Sequence, residues 1–258
     1  MRLMKRILSA AAVLALSASL LVGCSSGTAS SVPVSASSAT ESTVSSVEET
    51  ASSAVDENEA AAAQLLNDLT GSYQELWPVI LADEYQQTWL DVCTALVGED
   101  NAEAAFEKLS SMVTGDVYGE DAVKAYANGG GAYFCGFTND LATLTFDGET
   151  STISGTDKDG NELFSHPYHY IGMEPVRGLY EFESDDADSG EFTYFFLAPD
   201  TSAETYHIEF RYGSDADALS QYDAGDYAYW VASGISTDCD QTMIDNCIEL
   251  FCTENLAG

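Results

Sequence analysis

Between residues 132 and 213 the chain breaks into seven short stretches rich in aromatic and β-branched residues: AYFCGF, ATLTF, STISG, YHYIG, GLYEFE, FTYFFLA and TYHIEFRYG. Turn signals separate them. Thr156-Asp157-Lys158-Asp159-Gly160 reads as a hairpin turn, and Asp186 to Gly190 as another. Helical patterns stand on both sides. Glu59 to Leu69 is rich in Ala and Leu and stops at Thr70-Gly71. Asp83 to Val97 places Trp89, Val92 and Leu96 on one face, and Asn101 is positioned to cap a helix turning Ala105, Leu109 and Met112 inward. Residues from about Thr237 to Glu254 return to helix. The pattern predicts an α+β domain that is mainly antiparallel β, a small barrel with helices at its N- and C-terminal ends.

The start of the chain is not part of that domain. Residues 1–23 carry Arg2, Lys5 and Arg6, then an apolar run from Ile7 to about Leu21, the length of an export signal and short for a membrane span. Leu21-Val22-Gly23-Cys24 resembles the lipobox of bacterial lipoproteins. That resemblance implies cleavage before Cys24, acylation of its thiol, and a protein held by lipid on the extracytoplasmic face of the cell membrane. Residues 24–57 are Ser-rich and without aromatics, so they bury too little to offset chain entropy and are expected to form a disordered tether. The globular domain is expected over 58–258.

Charge narrows the partners. The chain has 43 acidic and 8 basic residues. Loss of the leader leaves Lys108, Lys124, Lys158, Arg177 and Arg211 against all 43 acids, a net charge of −38. Such a surface repels phosphate, which excludes nucleic acid, and favours cations. Five cysteines remain beyond Cys24: Cys93, Cys135, Cys239, Cys247 and Cys252. The odd number leaves at least one thiol unpaired within a chain, and mostly buried thiols are expected, with one disulfide as the alternative. There is no G-x-S-x-G, P-loop, CxxC or EF-hand loop, so nothing points to an enzyme.

From Gly178 the order GLYEFE, EFTYFFLAP, AETYHIEFRYG, LSQYDAGDYAYWVASGI and a terminal helix resembles the ZinT (YodA) family of exported zinc- and cadmium-handling proteins. GSYQELWPVI at 71–80, LATLTFDGE and YHYIGME are similar to earlier parts of the same family. The resemblance implies a lipocalin-like (calycin-like) barrel, a zinc-type divalent cation as ligand, and a metal ABC-transporter binding protein as partner in import. The family carries two histidines at i, i+2 on the strand matching 205–207 and a third nine residues before the first. This chain has His207 at the second place, Thr205 at the first, and no histidine in FFLAPDTSAE.

Alternation along 205–212 puts His207, Glu209 and Arg211 on one strand face and Ile208, Phe210 and Tyr212 on the other, the better core face. In a neighbouring strand Glu181 and Glu183 also share a face. The expected metal site is therefore His207, Glu209, Glu181 and Glu183 around a polar pocket, rich in oxygen and suited to zinc or another divalent cation. The competing reading pairs Glu209 with Arg211 or Arg177 and leaves His207 a satisfied histidine. Two other functions stay open: a metal-free lipocalin-like module for a small molecule or protein, and a passive surface module on a stalk.

Overall fold

The computed structural model describes residues 45–199 and 207–256, with side chains from Glu57 onward. The leader, Cys24 and Thr205 lie outside these residues. Contacts divide the chain into a unit ending at Ala54 and a unit spanning Val55–Gly258.

Helix α1 covers Ser45–Asp68, so residues 45–57, read from sequence as tether, are helical. Their Glu- and Ala-containing composition tolerates helix well enough to extend the Ala-rich run that follows. The chain turns at Thr70 and enters strand β1 (Gly71–Glu75), then the short helix α2 (Leu76–Ile80). After a 3-10 turn at Asp83–Tyr85, α3 (Gln86–Val97) and α4 (Glu99–Val113) follow, separated by Gly98 alone. Gly98 has φ 84°, a left-handed conformation that ends one helix and starts the next without a Cβ penalty. Asn101 is not the cap: it lies inside α4 and its side chain donates to the Val97 carbonyl at 3.0 Å. The buried face of α3 is Trp89 and Cys93, while Leu96 is exposed. Helix α5 (Glu120–Ala127) completes the N-terminal half.

Seven strands come next: β2 (Thr143–Asp147), β3 (Thr152–Thr156), β4 (Glu162–Met173), β5 (Tyr180–Ser184), β6 (Tyr194–Leu197), β7 (His207–Gly213) and β8 (Ala232–Ser236). Helix α6 (Ala216–Leu219) lies between the last two, and α7 (Gln241–Leu256) ends the fold. Each strand pairs antiparallel with the next, and β8 pairs back onto β1, closing an eight-stranded barrel. The expected fold class is observed. The β3–β4 hairpin is built as its sequence predicts: the Asp157 carboxylate accepts from the Asp159 and Asn161 amides at 2.8 Å, and Gly160 takes φ 81°. AYFCGF is not a strand. It contributes one bridging residue, Phe134, paired with Thr114 and Trp230.

An eight-stranded barrel is just wide enough for side chains to fill. Here Phe146, Phe164, Phe182, Phe195, Phe210 and Tyr212 occupy the interior with aliphatic neighbours, at most 5% exposed. The outside of β7, β8 and β1 carries a second core. Leu76, Trp77 and Ile80 of α2, Trp89 and Cys93 of α3, Leu109 of α4 and Ile244, Cys247, Ile248 and Cys252 of α7 pack there around Ile235. Trp89 is fully buried and its indole N–H donates to the Ile80 carbonyl at 2.7 Å, so the aromatic bulk is buried without an orphaned donor. Helix α7 is held at its start by Asp240, whose carboxylate accepts from the Met243 amide at 3.0 Å. Among the described residues no helix is long and apolar enough to cross a membrane.

Candidate functional site

Strand β7 alternates as its sequence predicts. Ile208, Phe210 and Tyr212 enter the barrel core, so His207, Glu209 and Arg211 face outward. Register places His207 beside Ile235 and Glu209 beside Ser233 of β8, on the face that the helices cover. His207 and Glu209 line one cavity of about 40 Å³ with Leu76, Trp77 and Ile80 of α2 and Cys247, Leu250, Phe251 and Glu254 of α7. That space holds an ion and little more. The pocket is thus between barrel and helices, not in a polar mouth of the barrel, whose interior is filled.

Glu181 and Glu183 are elsewhere. They lie on β5, and β6 stands between β5 and β7. Two strand spacings separate them from β7 by roughly 10 Å before any offset along the strands. Glu181 is level with Arg211 through Phe196, not with His207. Burial, then the charges of Glu174 and Asp217, raise its carboxyl above the ordinary value. Glu183 accepts a hydrogen bond from the Tyr194 hydroxyl at 3.2 Å. The structure therefore brings His207 and Glu209 together and does not bring Glu181 or Glu183 to them.

Three residues not foreseen as site members surround the pair. Glu254 and Cys247 reach the pocket from α7, seven residues apart on one helix face with Leu250 and Phe251 between. Cys135 sits behind Glu209, its backbone carbonyl accepting from the Ser233 amide at 3.0 Å. Burial pushes the Cys135 thiol up to about 12, and the Glu209 carboxylate adds to the rise. A thiol so placed stays protonated at neutral pH. The i, i+3, i+4, i+7 spacing of Cys247, Leu250, Phe251 and Glu254 along α7 was visible in sequence; its meeting with β7 was not. No group of three or more His, Cys, Asp or Glu side chains among the described residues is close enough to hold a metal ion as it stands. His207 and Glu209 offer two donors, and Glu254 is a third across the cavity.

Arg211 is not the partner of Glu209. It is fully buried and donates to the carbonyls of Leu219, Gln221 and Tyr227, tying the segment after β7 onto the barrel wall. Arg177 and Arg211 both lie over the Tyr222 ring, their guanidinium carbons 4.0 and 4.4 Å from its centroid. His166 and His169 also stay apart from the pocket, on Asp186 at 2.8 Å and Asp185 at 2.7 Å respectively.

No family model matches the chain, and no curated protein matches it. Among the solved structures, several chains are similar, two of them from Streptococcus pneumoniae. The Zn(II)-bound ZinT-like domain of Streptococcus pneumoniae AdcA matches at 15% identity and a TM-score of 0.45, over 71% of this chain and 89% of that one. Zn(II)-bound AdcA from the same organism matches at 16% identity and a TM-score of 0.43, over 71% of this chain. The alignment spans about a third of that protein, 35% of its length.

Proposed function

We propose that this chain is a divalent-cation-binding protein that takes zinc or a similar ion as cargo in the pocket between β7 and α7. His207 supplies an imidazole nitrogen, Glu209 a carboxylate, and Glu254 a second carboxylate after a side-chain rotation. The observation that carries the reading is that His207 and Glu209, the pair the strand period put on one face, line the same small cavity. One nitrogen and two oxygens bind zinc more weakly than an all-histidine site and admit manganese or calcium. The −38 charge of the exported chain concentrates cations around that pocket. In this reading Cys24 carries the lipid anchor, the domain stands on the outer face of the cell membrane, and the protein buffers metal or hands it to an import system.

The filled barrel argues against a small organic molecule inside it. Native mass spectrometry of protein purified without chelator tests the proposal. One bound divalent ion per chain, lost on adding chelator, is the expected spectrum; an apo mass throughout, even after zinc is added, rejects it.

A further inference from the structure

Cys93 of α3 and Cys252 of α7 are 159 residues apart in sequence, and their sulfurs stand 4.0 Å from each other in the second core. Both side chains are fully buried. A disulfide needs the sulfurs at about 2.0 Å, so each has about 1 Å to travel. The two helices already pack side by side there, and Cys252 shares α7 with the Cys247, Phe251 and Glu254 wall of the metal pocket.

We propose that Cys93 and Cys252 close to a disulfide as the chain folds, stapling α7 to α3 and fixing the helix that walls the His207–Glu209 pocket. The co-reactant is a disulfide oxidant, of low-molecular-weight or protein type. One cysteine thiolate attacks a sulfur of that oxidant, forming a mixed disulfide and releasing one thiol. The second cysteine thiolate then attacks the mixed disulfide. The Cys93–Cys252 bond forms, the oxidant leaves as two thiols, and those thiols carry the two electrons and two protons that the cysteines lost. Timing follows from burial. Both side chains are fully enclosed once the helices have docked, so no oxidant reaches either sulfur there. Closure therefore precedes the final docking of α7, and once made the bond is shielded from reductant. None of this depends on the metal reading, because its test reads a covalent bond.

The full chain, unfolded in guanidinium chloride and refolded in a reduced and oxidised glutathione buffer, is alkylated, digested without reductant and mapped by mass spectrometry. The expected map holds a Cys93–Cys252 linked peptide pair, with Cys135, Cys239 and Cys247 alkylated. The linked protein should melt roughly 5–15 °C above the same protein refolded in excess reductant. Alkylation of Cys93 and Cys252 in the folded monomer, or a link between other cysteines such as Cys239 and Cys247, overturns the pairing. Equal melting temperatures of linked and reduced protein overturn the staple.

Discussion

The guanidinium of Arg211 lies 4.4 Å from the centre of the Tyr222 ring with no exposure to solvent, in a chain that is otherwise poor in cations. Burial lowers its pKa from the ordinary arginine value, yet the group stays charged and spends that charge on backbone carbonyls. Arg211 thus holds the 214–231 excursion against the barrel wall.

Replacing Arg211 by Met should cost about 2–4 kcal/mol, since the carbonyls of Leu219, Gln221 and Tyr227 lose their donor inside the protein. Arg211→Lys should recover only part of that, because a single ammonium cannot serve the carbonyls reached by both terminal nitrogens. Urea unfolding midpoints of the two variants measure this.

Stability should fall in alkali earlier than tyrosine ionisation explains. Burial pushes the thiols of Cys135, Cys247 and Cys252 up to about 12 from 9.0. Folded, these groups keep their protons; unfolded, they lose them above pH 9. The contribution is therefore fully present below about pH 9 and is lost as pH rises toward 12. In the reduced protein each thiol should cost about 1.4 kcal/mol at pH 10 relative to pH 8, and ~4 kcal/mol together. Urea titrations at the two pH values check it, and Cys247→Ala should flatten the slope.

Helix α1 meets the barrel at Gly148. A Cβ there would lie 2.4 Å from the Asn67 Cα and 2.6 Å from both the Asn67 nitrogen and the Leu66 carbonyl oxygen, all backbone. Gly148→Ala should destabilise by about 1–3 kcal/mol through forced separation of helix and hairpin. At Gly130 the nearest atom to an added Cβ is 3.9 Å away, and Gly130→Ala should be close to neutral. Thermal melts of both variants distinguish this local clash from a general intolerance of alanine.

The barrel was largely legible because six of its strands carry aromatic or β-branched residues, and hairpin turns mark several of their ends. The two missed strands explain the limit. β8 reads ASGIS and β1 reads GSYQE, and neither has a run of bulky residues. They are strands because closing the barrel gives their backbone groups partners, a tertiary cause invisible to a local pattern. AYFCGF shows the converse: strand-like residues with only one bridging position. At the site, the period of β7 correctly grouped His207 with Glu209. The addition of Glu181 and Glu183 treated β5 as the neighbour of β7 and overlooked FTYFFLA, which pairs between them as β6. Glu254 and Cys247 come to β7 through helix α7, and Cys135 through the AYFCGF segment hydrogen-bonded to Ser233 of β8, so strand alternation had no means of finding them.

Zinc calorimetry in 0.15 M salt, on the parent chain beside His207→Ala and Glu209→Ala, tests the central claim most directly. Salt at that strength cuts the Debye length to about 8 Å and suppresses diffuse binding to the acidic surface. The account predicts one micromolar site, weakened at least about tenfold, ~1.4 kcal/mol, by either substitution. It also predicts that binding fades from pH 7.5 to 5.5, because only neutral imidazole binds metal and free histidine titrates near ~6.5. Zinc bound by His207→Ala as tightly as by the parent, in the same salt, would contradict it.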